Sequence, residues 1–173
     1  MKKLIFIVLI FSWSLFAHAQ TFIGNTGAIP ANDTVYFSVS VNINGVDTLS
    51  ANYGLDWLKL NVQSDETRRL IIALISPDNS EIIILNQSTY GTKLENTYFK
   101  DDADWFINEG YDNYADEFRP DEEIGYLNMN KPANGDYLLK IINLGAENTV
   151  LYNWSIYFGE NPTLPVAFES SNL

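Results

Sequence analysis

The sequence contains no cysteine, and its one histidine, His18, falls inside an N-terminal apolar stretch. Positive charge is scarce as well, with 10 Lys or Arg against 22 Asp or Glu and a formal charge of −12. The missing thiols exclude a disulfide framework and Cys-His catalysis, and the lone His18 leaves no imidazole for a Ser-His-Asp arrangement beyond the leader. Zinc is disfavoured because its usual nitrogen and sulfur ligands are lacking. Nucleic acid is excluded as an expected partner, because phosphate binding needs clustered Lys and Arg, and Arg68-Arg69 is the one adjacent basic pair after the leader.

What is present begins with an export signal. Met1-Lys2-Lys3 precedes an apolar run from Leu4 to Ile10 that continues through Phe11, Trp13, Leu15 and Phe16 to Ala17-His18-Ala19. A cationic start, a short apolar core and a small-x-small end read as a signal peptide over residues 1–19, cut before Gln20. The run is shorter than the roughly 20 residues of a bilayer-spanning helix, and no later segment competes with it. Removal leaves 154 residues with eight Lys or Arg and 22 Asp or Glu, a formal charge of −14. Export without cysteine favours a secreted, periplasmic or cell-surface bacterial product. This length suits one domain with its own apolar core.

Residues 20–34 are rich in Gly, Asn, Pro and Ala and read as an N-terminal arm or first strand, with clear order expected from Val35. Val35, Phe37, Val39, Val41 and Ile43 then alternate with smaller or polar residues, the period of a half-buried strand. Asn44-Gly45 supplies a turn, and residues 57–63 resume the extended pattern. Leu70 to Ile75 and Glu81 to Leu85 form two apolar runs separated by Ser76-Pro77-Asp78-Asn79-Ser80. Proline presets φ there and Asp78 and Asn79 bond nearby backbone, so a tight reversal is predicted. Ile124 to Leu127, Tyr137 to Ile142 and Asn153 to Phe158 are the remaining strands, and residues 161–173 read as a tail or linker. Short strands at this spacing predict an all-β fold, a jelly-roll-like antiparallel β-sandwich over residues 35–160. Trp57 and Trp154 are expected at strand entries, sealing the core with the indole N–H on a polar partner. Residues 95–123 read mainly as loops, tied down by Tyr98, Phe99, Trp105, Phe106, Tyr111, Tyr114 and Phe118.

The order of these segments resembles the P domain, or Homo B domain, of subtilisin-like proprotein convertases. The resemblance is carried by Leu70-Ile71-Ile72-Ala73-Leu74-Ile75-Ser76-Pro77-Asp78-Asn79-Ser80, by Asn96-Thr97-Tyr98-Phe99-Lys100-Asp101-Asp102-Ala103, by Arg119-Pro120, by Asn134-Gly135-Asp136-Tyr137, and by Asn153-Trp154-Ser155-Ile156-Tyr157-Phe158. It spans residues 35–159 and implies a jelly-roll sandwich that, in convertases, stabilises a neighbouring catalytic domain without supplying its triad. The sequence departs from the family at Gln63-Ser64-Asp65, where a histidine-bearing stretch is usual, and at Arg69, which replaces an Asp before Leu70. Contacts that depend on those groups do not carry over.

Three chemistries compete for the remaining residues. Asp101, Asp102 and Asp104 offer hard oxygen ligands for a structural calcium ion, with Glu95, Asn96 or backbone carbonyls completing the shell, and the resemblance strengthens this expectation. Trp105, Tyr111 and Tyr114 offer an aromatic surface for a protein partner or a carbohydrate. The acidic pairs Asp101-Asp102 and Glu122-Glu123 are the material of a carboxylate-based hydrolase, although no spacing marks either as a catalytic pair. The leading expectation is a noncatalytic exported accessory module that stabilises or docks onto a protein partner, such as a secreted enzyme or envelope protein. A carbohydrate or cell-surface binding module comes second and the hydrolase third.

Overall fold

The computed structural model describes residues 19–110 and 113–165. The signal peptide expected over residues 1–19 lies almost entirely outside these residues, as do Tyr111 and the last eight residues of the chain. Eleven strands are found among the described residues: β1 (Gln20–Ile23), β2 (Gly27–Ile29), β3 (Asp33–Val41), β4 (Tyr53–Gln63), β5 (Leu70–Ile75), β6 (Glu81–Asn86), β7 (Lys93–Phe99), β8 (Trp105–Phe106), β9 (Glu117–Arg119), β10 (Gly135–Asn143) and β11 (Thr149–Glu160). They form two sheets. The larger has the order β1-β11-β4-β7-β9-β8, with β2 also on β11, and the smaller has the order β3-β10-β5-β6.

The alternation read from the sequence is what places the core. Phe37, Val39 and Val41 of β3, Leu58, Leu60 and Val62 of β4, Tyr137, Leu139 and Ile141 of β10, and Trp154, Ile156 and Phe158 of β11 join one buried apolar cluster. Each such side chain contributes on the order of 1.5–3 kcal/mol by leaving water. The all-β, two-sheet sandwich expectation therefore holds. The expectation of wholly antiparallel pairing does not, because β9 runs parallel to both β7 and β8. Parallel neighbours need a crossover between them, and here the long acidic segment after β7 provides it.

Three other expectations are corrected. Order starts well before Val35: β1 and β2 both pair with β11, and between them Asn25 donates its N–H to the Ser38 carbonyl at 3.1 Å and accepts the Ser38 N–H at 2.6 Å. Residues 124–127 form no strand but most of a 3-10 helix, Ile124–Asn128, whose Ile124, Gly125, Leu127 and Asn128 are buried. Trp57 and Trp154 sit within strands rather than at their entries. Trp154 is fully buried and donates Nε1–H to the Asn25 carbonyl at 2.8 Å, whereas Trp57 lies half-buried, its ring stacked on Tyr157 at 5.0 Å.

Where the sequence predicted a hairpin, β5 and β6 form one, with Asn79 at φ +65° in the turn between them. The Asn44-Gly45 turn forms too, but it leads from β3 of the smaller sheet to β4 of the larger one.

Candidate docking surface at the acidic crossover

The crossover runs from the end of β7 to the Ile124–Asn128 helix and carries every site residue expected from the sequence. Asp101 is partly buried, and its two carboxylate oxygens accept the N–H groups of Ile124 at 2.7 Å and Gly125 at 2.6 Å. A carboxylate thus caps the start of the 3-10 helix from 23 residues away in sequence. Burial pushes the Asp101 carboxyl up to about 6, partly opposed by the two amide bonds and reinforced by the nearby charges of Glu123 and Asp102. Asp102 and Asp104 are exposed, and Asp102 lies 3.6 Å from Lys100 Nζ. Among the described residues no group of three or more His, Cys, Asp and Glu is arranged to hold a metal ion.

The helix that Asp101 caps is in turn held by Asn128. Its Oδ1 accepts the Leu55 N–H at 2.7 Å, and its Nδ2 donates to the carbonyls of Leu55 at 2.8 Å and Thr163 at 3.4 Å. Pro162 and Pro165 are buried beside it, so residues 161–165 pack onto the sandwich. An amide with matched donors and acceptors is what a buried backbone segment needs when no strand pairs with it.

The aromatic trio separates. Tyr114 is 1% exposed; its hydroxyl accepts the Tyr90 N–H at 2.8 Å and donates toward the Tyr90 and Gly110 carbonyls, while its ring meets Phe118 edge-on at 5.7 Å. It anchors the crossover and is corrected as a candidate for a ligand surface. Tyr111 lies outside the described residues. Trp105 alone matches the expectation of an exposed ring, at 60%, and its neighbour Phe106 is 50% exposed. Both belong to β8, the outer strand of the larger sheet. The Arg119 guanidinium lies 5.1 Å from the Phe106 ring centre, and Nε donates to the Ala103 carbonyl at 2.5 Å.

After Pro120, Asp121, Glu122 and Glu123 form an acidic ridge, of which the sequence analysis singled out only the Glu122-Glu123 pair. Asp121 and Glu122 donate their backbone N–H groups to the Ile84 and Ile83 carbonyls of β6, at 3.1 and 2.9 Å. Their carboxylates accept in return, Glu122 Oε2 from the Ile83 N–H at 2.6 Å and Asp121 Oδ2 from the Asn86 N–H at 2.6 Å and the Ser88 hydroxyl at 2.7 Å. The outer edge of β6 would otherwise offer unpaired backbone groups to another chain. One groove of about 320 Å³ lies beside Phe106, Arg119, Pro120 and Leu164, with Asp101 and Glu123 on its walls. A second, of about 570 Å³, lies beside Ile82 and Tyr126 and shares Asp121 and Glu123 with the first. The signal that could have located this ridge is the Asp121-Glu122-Glu123 run directly after Arg119-Pro120.

A further cavity of about 330 Å³ is lined by Asn32, Asp65, Glu66, Arg69 and Glu147. Its Arg69 Nε donates to Glu66 at 3.0 Å, and Arg68 pairs with the same carboxylate. The cation at its wall is thereby already matched. Among the described residues there is no histidine or cysteine, and no helix is long and apolar enough to cross a membrane.

No protein-family model matches the sequence, and no curated protein matches it. Among solved structures the chain is similar to a serine protease of Aeromonas sobria, at 14% identity and a TM-score of 0.47. The similarity covers 82% of this chain and 26% of that protein, so the chain spans about a quarter of its length. At that level the match assigns neither fold nor activity to this chain.

Proposed function

We propose that this chain is an exported, noncatalytic accessory module of the P-domain-like, jelly-roll type that docks onto a protein partner and stabilises it. The observation that supports this reading best is the exposure of Trp105 and Phe106 on a two-residue outer strand, beside an acidic ridge. Large apolar rings rimmed by polar groups are the usual composition of a protein-binding surface. The ordered resemblance to P domains supports the same reading, as does the absence of any histidine or cysteine between Gln20 and Leu173. The export signal expected over residues 1–19 favours a partner among secreted, periplasmic or cell-surface proteins.

Cross-linking and affinity capture from extracellular and envelope fractions of the source organism test the reading. A saturable protein partner, lost or weakened by Trp105→Ala in a variant with unchanged thermal stability, supports it. Binding of a defined glycan that depends on Trp105, with no protein partner captured, favours the carbohydrate-binding alternative instead. Reproducible hydrolysis that depends on one acidic pair favours the hydrolase. A structural calcium ion would require the exposed Asp102 and Asp104 side chains to converge on Asp101. Calorimetric titration with calcium, followed by thermal melting, tests that separately: saturable binding weakened by Asp102→Asn supports it, and no heat with an unchanged Tm removes it.

A further inference from the structure

We infer that the acidic ridge of Asp121, Glu122 and Glu123, with the grooves on either side of it, receives an extended lysine- or arginine-bearing segment of the partner protein. The inference rests on the accessory-module reading and names the surface and the chemistry through which docking occurs.

Shape is the first observation. The two grooves share Asp121 and Glu123, and each is walled by a partly exposed aromatic ring, Phe106 on one side and Tyr126 on the other. The lining of the first groove sets the apolar Phe106, Pro120 and Leu164 beside the acids Asp101, Asp121 and Glu123. A lysine or arginine side chain has the matching distribution, an aliphatic stem that lies on apolar surface and a cationic head that stays with polar groups.

Charge is the second. Among the residues lining the two grooves, Asp101, Asp121, Glu122, Glu123 and Glu81 are acids and Arg119 is the one cation. Arg119 is already engaged, with Nε on the Ala103 carbonyl and its guanidinium over Phe106. It therefore shows the chemistry that the surface favours, a guanidinium against an aromatic ring, while half of Phe106 remains exposed for a second contact.

Pre-organisation is the third. The Asp121 and Glu122 carboxylates are fixed by donors from β6 and Ser88, so a partner meets charges already held in place. Groups ordered before binding cost less conformational entropy on association. An anionic polysaccharide is repelled by the same ridge, and a neutral one leaves its carboxylates without a counter-charge.

The test uses the full chain and an immobilised panel of extended peptides of one length with graded Lys and Arg content, beside neutral and anionic oligosaccharides. Affinity is expected to rise with cation content and to fall as salt is added. Glu123→Gln and Phe106→Ala should each weaken binding by about tenfold, the usual effect of losing a central interface contact. Glu147→Gln, which removes the same charge beside the Arg69 cavity, should leave binding unchanged. Equal weakening by Glu147→Gln, or equal binding to all three variants, overturns the inference. A captured partner that binds the ridge variants as well as the parent chain overturns the ridge and leaves the accessory-module reading standing. Oligosaccharide binding with no peptide or protein binding overturns both.

Discussion

The β5–β6 turn and the acidic crossover each depend on an aspartate, and the two aspartates behave oppositely. Asp78 stays near solvent and closes the bonds of one oxygen locally, Oδ1 accepting the Ser76 hydroxyl at 2.6 Å and the Ser80 N–H at 3.1 Å, while Oδ2 meets the distant Lys131 Nζ at 3.0 Å. The Ser76 hydroxyl, with Lys131 beside it, holds the carboxyl well below the usual range. Asp101 is partly withdrawn from water, bonds to amides far away in sequence, and is pushed upward by that burial. One carboxylate stabilises a turn that the chain forms by itself, and the other joins segments that meet only in the folded molecule. Hydrogen bonds lower a carboxyl pKa in both places, so the sign is decided by how much water each group loses.

The largest expected effect comes from cutting the crossover at its far end. Asn128→Ala leaves the Leu55 N–H and carbonyl and the Thr163 carbonyl without their side-chain partner. Buried backbone groups so orphaned cost about 1–3 kcal/mol each, so denaturant unfolding should show a loss of roughly 3 kcal/mol. A loss no greater than that of an exposed substitution would show that the crossover is not tied to β4 through this amide.

Next in size is the pH dependence of Asp101. Its carboxyl rises from 3.8 to about 6 on folding, so the folded state holds this proton more tightly. The stability it contributes is therefore fully present below about 4 and is lost as pH rises through about 6, by up to about 3 kcal/mol at 1.36 kcal/mol per pKa unit. Subtracting the melting profile of Asp101→Asn from that of the parent chain should give a curve that falls between pH 4 and 6. A flat or rising difference would refute the assignment. For Asp78 the sign reverses: its folded carboxyl is lowered, so its contribution is present above its unfolded value of 3.8 and disappears as pH falls further. The Asp78→Asn difference should run the other way, with an amplitude below about 1 kcal/mol because solvent screens the site.

Tyr114→Phe keeps the ring against Phe118 but removes the hydroxyl that joins Tyr90 and Gly110. About 1–2 kcal/mol should be lost, with faster amide exchange at Tyr90 and little change in the sandwich core. Exchange that accelerates throughout β10 would show the crossover and core to be one cooperative unit. The smallest effect belongs to the turn. Ser76→Ala removes the hydroxyl that donates to Asp78 and should cost about 0.5–1 kcal/mol.

The same contrast explains what could be read in advance. Ser76-Pro77-Asp78-Asn79-Ser80 is a legible turn because its bonds close within five residues and Asn79 tolerates the positive φ it adopts. The alternation in β3 and β10 was equally plain, since a strand that buries one face repeats every two residues. Ile124 to Leu127 misled because four largely apolar residues fit a short buried strand and a 3-10 turn alike. The deciding bonds come from Asp101, on another part of the chain. Tyr114 and Trp105 looked equivalent because both are aromatic residues among acids. Tyr114 is enclosed by Tyr90, Gly110 and Phe118, whereas Trp105 falls on an outer strand. The acidic ridge was hidden for the same reason: a carboxylate that seals a strand edge is indistinguishable in sequence from a solvated one.

By itself, the sequence determined the all-β character, the β5–β6 reversal, the acidic balance and the lack of imidazole and thiol from Gln20 onward. These follow from backbone periodicity, turn chemistry and composition, which are properties of neighbouring residues or of simple counts. Only the tertiary structure decided that β9 lies parallel to its neighbours, that Asp101 caps a helix, that Tyr114 is core, and that Asp121 and Glu122 close the edge of β6. Each of those depends on which distant segments meet and how much water they exclude, and a carboxylate or a ring carries no local mark of its eventual neighbours.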